Sequence, residues 1–457
     1  MATKTQRENI LLAPDHRPVR NLKEYVNQRG MEGLKKARSL KPERVIEEIK
    51  RSGLRGRGGG GFPTGVKWEG VYKHPCPVKY VCCNAAEGEP GTFKDRFLLR
   101  KNPYQMLEGL AIAIHAIGAK KGYIGIKEKF GPETKRVESA LGEMIEAGFL
   151  EKTEIELVKG PADYLFGEQK ALLEVIEGNL PMPRVLPPYV EGLFRTPLSA
   201  NPTVVNNVET LSNIPHILSK GADWFSGIGP RNCPGTMVFT LCGDVKKPGI
   251  YELPMGTPFR VLVEDLGGER AARSKRLRAI FSGVSNPVLT SAEFDVSMDF
   301  DSMKKAGVGL GSAGFIVYDE SVCMVKAALM FSTFLARESC GQCVPCKTGC
   351  EKITKYLKNL ESGSGSQDDL KRIRSQCGMV ENGSRCFLAA EENILISSLL
   401  DKFAEEFEAH LGSVCPYSRR ILLPQIEDFD EANNIFSYEK ADKEEVEALR
   451  SLRGKSA

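Results

Sequence analysis

The spacing of apolar residues changes several times along the chain, and each change predicts an element. In residues 1–54, Leu34, Ala37, Val45, Ile46 and Ile49 recur between charged positions, with Pro42 breaking the run. This predicts a leader followed by a helical hairpin, with no chemistry of its own. The apolar run Lys79–Cys83 predicts the first strand. Met106, Leu107, Leu110 and Ile114 then predict a helix, and Tyr123–Ile126 a strand. Thr134–Ala147 reads as a second helix and Ile155–Val158 as a third strand. That β-α-β-α-β alternation predicts a Rossmann-like layered core. Another helix is expected to open at Tyr164–Lys170, and the proline-rich stretch Leu180–Phe194 to form a structured loop.

At Met237 the texture shifts to short apolar strands between Gly and Pro turns, then a short helix. This predicts a compact α+β module of roughly 80 residues. The stretch FIVYDESVC predicts a strand ending at Asp319, which is expected to cap the next helix. In that helix Met324, Ala328, Phe331 and Leu335 form one apolar face, read as core. Residues 351–412 read as helical with a Gly/Ser break at Ser362–Ser366, and the charged tail beyond Pro424 as loosely ordered.

Size and composition narrow the class. The chain has 457 residues, enough for about three domains. Its 41% hydrophobic and 27% charged residues describe a globular protein with ample core. Basic and acidic residues number 63 and 59, for a net charge of +4, too balanced to argue for a nucleic-acid partner. The opening MATKTQREN has no apolar signal segment, and no apolar run reaches the roughly 18 residues of a spanning helix. The expectation is a cytoplasmic protein without direct membrane insertion, reaching a membrane only through partner subunits. Thirteen cysteines, an odd number concentrated in one box, point to a reducing compartment.

That box, Glu338–Cys350, reads ESCGQCVPCKTGC. Cys340, Cys343 and Cys346 form a C-x₂-C-x₂-C run, and Cys386 follows in RCFLAA. Three thiolates in step with a distant fourth are the ligand logic of a [4Fe–4S] cluster. Zinc is the rival, although Cys₄ zinc sites usually arrive as two separated pairs.

A second chemical stretch is SGLRGRGGGGFPTGVKW, Ser52 to Trp68. It formally satisfies G-x-G-x-x-G, but the first strand comes after it, so the ordinary Rossmann fingerprint does not apply. The glycines still let backbone N–H groups approach a phosphate or a flat ring, and Lys67 adds a charge. The alternative is a flexible loop. After the first strand, Asn84, Glu87 and Glu89 lie in NAAEGEPGTFKDR, where a strand's carboxyl end meets ligands in α/β proteins. Gly167 at a helix start allows close approach of an anion. Tyr189 lies on the proline-rich loop, and Asn206 and Asn207 read as ligand contacts or as turn and helix caps.

Four separated motifs now coincide: GRGGGGFPTGVKW, NAAEGEPGTFKDR, NPTVVNNVETL and ESCGQCVPC with its late cysteine. Together they resemble the NADH-oxidising flavoprotein subunit of respiratory complex I, the F-type subunit of NADH:quinone oxidoreductase. That family also includes diaphorase subunits of NAD-reducing hydrogenases and NAD-dependent formate dehydrogenases. The resemblance runs over about residues 10–415. It implies an α/β multidomain chain with five parts: residues 1–65, an N-terminal helical and glycine-loop segment; 66–230, a Rossmann-like FMN and NAD(H) domain; 231–318, a ubiquitin-like β-grasp domain; 319–423, a helical [4Fe–4S] bundle; and 424–457, a tail.

The resemblance further implies that Gly56, Gly58, Lys67, Asn84, Glu87, Tyr164, Gly167, Glu168, Asn206, Asn207 and Thr210 line the FMN site. Phe62 and Tyr189 would stack the adenine of NADH, with Glu89 near the nicotinamide. Cys340, Cys343, Cys346 and Cys386 would hold the cluster; Cys350 and Cys377 fall outside the motif. None of the five histidines sits in these motifs, which suits flavin-mediated hydride transfer with no side-chain base. Expected partners are a thioredoxin-like [2Fe–2S] subunit and a larger iron–sulfur subunit within a hetero-oligomeric complex. The rival roles are a diaphorase subunit of a soluble hydrogenase, formate dehydrogenase or bifurcating complex, and a non-catalytic electron relay.

Two departures from the family pattern stand out. Ala86 occupies a position where the family has a carboxylate facing the flavin site, and Gln169–Lys170 replace a Glu–Thr pair. A glutamate at position 169 would oppose a 2′-phosphate; Gln169 removes that repulsion and Lys170 adds attraction. The pair fits tolerance of NADPH, or even preference for it; the alternative is a neutral change with NADH binding intact.

Overall fold

The structure, a computed structural model, describes residues 9–196, 199–268 and 276–439. It divides into two compact units: one holds residues up to Gly88, Phe93–Val238 and Glu252–Thr257, the other Glu89–Thr92, Phe239–Tyr251 and the chain from Pro258.

The first unit is built on a parallel sheet in the order β3-β2-β1-β4: β1 Tyr80–Ala85, β2 Lys121–Lys127, β3 Ile155–Gly160 and β4 Thr203–Asn207. Its inner strands are near-continuous apolar runs because helices cover both faces. Three short helices, α1 Leu22–Asn27, α2 Glu32–Ser39 and α3 Pro42–Arg51, precede α4, Thr64–Tyr72. Pro42 sits in the first turn of α3, where its missing N–H costs nothing, so the residue that breaks one run also opens the next helix. Then come α5 Lys94–Lys101, α6 Pro103–Ile117, α7 Gly131–Glu146, α8 Gln169–Ile176, α9 Val208–Lys220 and α10 Ala222–Ser226.

Helix α6 is buried almost all round and packs on α9 and α2. The approach to α9 is close enough that a Cβ at Gly109 would lie 2.0 Å from the Leu211 carbonyl oxygen. From Ile10 onward the leader is pinned. The buried Glu252 carboxylate accepts the backbone N–H groups of Ile10, Leu11 and Leu12 at 2.7–3.1 Å. Glu108 does the same for Met31 and Leu34, and for the Tyr25 hydroxyl.

Two expectations change in this unit, and one alternative gives way. Strand β4 falls where the sequence predicts only a turn and a cap; its four β-branched and amide residues after Thr203 are too few to announce a strand, yet they pair with β1 from Tyr80 to Asn84. The helix expected at Tyr164 begins as a 3₁₀ turn, Tyr164–Gly167, and the α-helix proper starts after Glu168. The glycine loop is closed rather than flexible, with Gly56 N–H donating to the Phe62 carbonyl at 2.9 Å and Arg55 Nε to that of Gly61 at 2.7 Å.

A second sheet, most of it in the second unit, is formed by β5 Thr236–Gly243, β6 Gly249–Pro254, β7 Leu277–Ser282 and β8 Gly314–Asp319 in the order β6-β5-β8-β7. Strand β5 runs parallel to β8, and β7 antiparallel to it. With α11, Phe300–Lys305, this mixed sheet is the compact α+β module expected after Met237. Helices α12 Met324–Glu338, α13 Val344–Glu361, α14 Gln367–Cys377, α15 Leu388–Lys402 and α16 Ala404–Ala409 follow. Met324, Ala328, Phe331 and Leu335 are buried on α12 as expected.

Its cap is different: Asp319 ends β8 and accepts from Ser321, while Cys323 caps α12 by accepting the Lys326 N–H. The tail also differs from the loosely ordered expectation. Strands β9, Ile426–Asp430, and β10, Ile435–Tyr438, form a hairpin held by stacked Phe429 and Phe436 rings 4.4 Å apart. The tail beyond residue 439 lies outside the described residues. Among the described residues no helix is long and apolar enough to cross a membrane.

Candidate functional site: a glycine-lined cradle and a thiol-rich loop

The carboxyl edge of the parallel sheet gathers most of the motif residues. Asn84 at the end of β1 stands opposite Asn207 at the end of β4, and Asn206 opposite Cys83. Asn84 donates from Nδ2 to the Gly167 carbonyl at 2.7 Å and accepts the Ala86 N–H at 3.1 Å, tying the 3₁₀ turn to the loop after β1. Gly167 permits this: a Cβ there would sit 3.0 Å from the Ala86 carbonyl oxygen. Ala86 itself is fully buried. Asn206 accepts the Trp68 indole N–H at 2.8 Å. Lys67 donates to the Val205 carbonyl at 3.1 Å, and burial lowers its pKa.

The glycine loop faces the same edge. A Cβ on Gly58 would lie 3.1 Å from Cβ of Asn207, and the Arg57 N–H donates to Oγ1 of Thr210 at 2.8 Å. At Gly60 nothing lies within 4 Å of an added Cβ, so that side of the loop is open. The donors that converge here are an ammonium, two amides, a hydroxyl and glycine-loop backbone. They suit a phosphate and the polar edge of a flavin, and the residues present therefore fit FMN.

Beneath this edge lies an ionic core that sequence reading did not find. Lys94 is fully buried and reaches Asp95 at 2.8 Å, Glu209 at 2.9 Å and Oδ1 of Asn207 at 3.2 Å. Asn207 in turn donates to Asp95 at 2.6 Å and caps α9 through the Glu209 N–H. Burial opposes charge on Lys94, but Asp95, Glu209 and Glu87 outweigh it and raise its pKa. Glu87 accepts the first N–H groups of α5, from Asp95 at 3.0 Å and Arg96 at 3.4 Å. Burial first, and the Asp95 charge second, push Glu87 up to about 7. Arg57 is also buried and donates to the Pro234 carbonyl. The signals for this core were an arginine among glycines and a Lys–Asp pair inside a motif, both easily read as surface charge.

Glu168 is the N-cap of α8, accepting from Lys170 and Ala171 at 2.9 and 3.0 Å, and burial raises its pKa. Gln169 is the first helical residue and exposed. Phe62 and Tyr189 expose 53% and 57% of their surface, leaving both rings open to a stacking ligand. Glu89 belongs to the second unit, where its carboxylate accepts from Val284 N–H at 2.8 Å and the Ser285 hydroxyl at 3.2 Å.

The cysteine motif occupies the junction of α12 and α13. Cys340 follows α12, Gly341 turns the chain at φ 82°, Cys343 caps α13 and Cys346 lies in its first turn. A helix N-terminus favours thiolate charge. Cys346 is pulled down to about 6 by the Cys350 thiol and the Ser339 hydroxyl, the latter 3.3 Å away, with Lys347 adding to it against the opposing effect of burial. Gln342 reaches Cys340 Sγ at 3.6 Å and accepts from Arg385 at 2.7 Å, which ties the loop bearing Cys386 to the motif. Cys377 is buried at the end of α14 and raised to about 12 by desolvation.

A single zinc ion would draw its sulfurs to within about 4 Å of one another. Among the described residues, the donor atoms that meet within 4.8 Å belong to Cys323, His410 and Cys415, outside this motif. The C-x₂-C-x₂-C run with its late cysteine suits a cubane, whose cysteines bind different irons.

Family models match the chain in three places: the Nuo51 FMN-binding domain over residues 49–216, an SLBB domain over 238–279, and the NADH-ubiquinone oxidoreductase-F iron–sulfur binding region over 326–410. The second F-type subunit of NADH-quinone oxidoreductase from Rhizobium meliloti is 42% identical over 400 residues, covering 85% of this chain and 94% of its own. The HndC subunit of the NADP-reducing hydrogenase of Solidesulfovibrio fructosivorans is 37% identical over 408 residues, covering 87% and 82%. Among solved structures, the NAD⁺-reducing [NiFe]-hydrogenase in the H₂-reduced state aligns with a TM-score of 0.77 at 30% identity, over 88% of this chain and 68% of that one. With the flavin cradle and the cysteine motif both inside the matched segments, the chain belongs to the family of F-type flavoprotein subunits of NADH-quinone oxidoreductase.

Proposed function

We infer that this chain oxidises NADH as the FMN- and [4Fe–4S]-bearing subunit of a larger electron-transfer complex of the NADH:quinone oxidoreductase type. The observation that carries this is the glycine-lined cradle at the carboxyl edge of a parallel sheet, in one chain with the C-x₂-C-x₂-C run. When bound, FMN supplies hydride acceptance and the cluster supplies one-electron transfer.

The side chains divide the remaining work. Gly56, Gly58 and the amides of Asn84, Asn206 and Asn207 would hold the flavin, with Lys67 and Thr210 serving its phosphate and polar edge. Tyr164, Gly167 and Glu168 close that site from the turn before α8. Phe62 and Tyr189 stack the adenine, Glu89 orients the nicotinamide, and Gln169 borders the ribose. No residue needs to abstract a proton. Cys340, Cys343, Cys346 and Cys386 would hold the cluster.

The partners that fit are a thioredoxin-like [2Fe–2S] subunit and a larger iron–sulfur subunit, with the chain cytoplasmic and reaching a membrane through them. A second reading, a diaphorase subunit of an NAD(P)-linked hydrogenase, is favoured by the likeness to the two hydrogenase proteins.

Anaerobic stopped-flow reduction of the flavin by NADH and NADPH, on protein co-expressed with its small iron–sulfur partner, tests the reading. Fast bleaching is expected. Flavin and cluster both present with no bleaching would overturn it in favour of a relay subunit, the role that the missing carboxylate at Ala86 would suit. The composition of the native complex separates quinone reductase from hydrogenase.

A further inference from the structure

Three soft ligands meet at a place the iron–sulfur motif does not use. Cys323 caps α12, His410 ends α16, and Cys415 lies on the segment that follows. The Cys323 sulfur stands 3.4 Å from Nε2 of His410, and the donor atoms of all three residues fall within 4.8 Å of one another. Cys323 and His410 are buried and Cys415 is half-buried.

The histidine is already set as a ligand. Its Nδ1 lies 2.7 Å from the Glu406 carbonyl oxygen, which can only accept, so Nδ1 carries the proton and the Nε2 lone pair is the one beside the sulfur. The Cys323 sulfur also receives the Lys326 N–H at 3.4 Å at the start of α12, which offsets part of the burial that pushes this thiol up. In a tetrahedral Cys₂His zinc site the donor atoms stand about 3.5–3.8 Å apart. The Cys323–His410 distance already matches, and the Cys415 loop has to close by no more than about 1 Å.

We propose that Cys323, His410 and Cys415 bind one zinc ion, distinct from the iron–sulfur cluster, with water at the fourth position. Two thiolates and a neutral imidazole are the donor set that selects zinc over hard cations. Binding exchanges the two thiol protons for the metal, with no change in oxidation state. Cys323 and His410 are 87 residues apart, and all four cluster cysteines lie between them. The ion therefore closes the segment that carries the cluster and stabilises it as a loop-closing clip.

The test is metal analysis of the purified full chain carrying its cluster. One zinc per chain is expected beyond the cluster iron, with two sulfur and one nitrogen neighbours in zinc X-ray absorption. Cys415→Ser and His410→Gln should each lower zinc at least tenfold while iron content and the cluster's electron paramagnetic resonance signal stay unchanged. Should His410→Gln fail to fold, Cys415→Ser, on a half-exposed loop, carries the comparison. Cobalt added in place of zinc to the unaltered chain should give thiolate-to-metal charge-transfer absorption. Iron-replete protein that takes up no zinc, zinc retained in Cys415→Ser, or cobalt without that absorption would each overturn the proposal.

Discussion

Asn207 makes three hydrogen bonds at once: it donates to Asp95, and its carbonyl oxygen accepts from Lys94 and from the Glu209 N–H. Asn207→Ala removes a helix cap, worth about 1 kcal/mol, and leaves buried Asp95 short of a donor, about 1–3 kcal/mol more. Chemical denaturation should show the combined loss, and FMN retention should fall with it. Cysteines are separated in the same way. Cys386→Ser should abolish the cluster signal and lower iron content, whereas Cys377→Ser, altering a buried thiol at the end of α14, should leave both intact. Under the proposed function, in which position 169 borders the ribose, Gln169→Glu should raise the NADH-to-NADPH ratio of kcat/KM by roughly tenfold, about 1.4 kcal/mol, and an unchanged ratio would refute that role. Asn207, Cys386 and Gln169 are singled out in sequence because each sits in a motif whose spacing suggests the chemistry, and Cys377 because it falls outside one. Cys323 as a cap is not readable, since a thiol stands outside the usual oxygen-bearing caps and Asp319 looks the better candidate.

Among the elements, β1 to β3 and the helices α6 and α7 between them announce themselves through their apolar periods, whereas α5 does not. Strand β4 does not, being short and ending in two asparagines, and its identity is fixed only by pairing with β1. The β9–β10 hairpin is hidden for another reason: its acidic residues suggest a solvated tail, while alternate positions supply the Phe429–Phe436 stack. The ionic core under α5 and α9 is the largest omission, because burial of Lys94, Asp95 and Glu209 depends on partners more than a hundred residues apart in the case of Lys94 and Glu209. Replacing one member of such a group leaves an uncompensated buried charge. Lys94→Met should therefore destabilise the chain by about 3–5 kcal/mol, read as a lower denaturant midpoint at unchanged slope. A loss below about 1 kcal/mol would mean that water reaches the group.

For the molecule as a whole, these buried groups set how stability responds to pH. Glu87 is pushed up to about 7 and Glu252 to about 6, in both cases mainly by burial, whereas an exposed glutamate titrates near 4.5. Between the unfolded and folded values the native chain holds protons that the unfolded chain has released. Their stabilising contribution is complete below about 4.5 and is lost as pH rises through 6 and then 7. His216 has the opposite sign: burial lowers it to about 4 from 6.5, so the unfolded chain binds the extra proton and stability rises with pH across that window. Above about 6.5 the histidine no longer opposes the carboxyls. Stability of the full chain should then still fall between pH 6.5 and 7.5, against the broad maximum usual for soluble proteins. Glu87→Gln, which keeps the shape of the side chain and cannot ionise, should flatten this decline, changing the difference in unfolding free energy between pH 5 and pH 7.5 by on the order of 2 kcal/mol. Denaturant unfolding of both proteins at the two pH values measures it, and parallel profiles would show that Glu87 is ionised throughout, compensated by Lys94 rather than neutralised by burial.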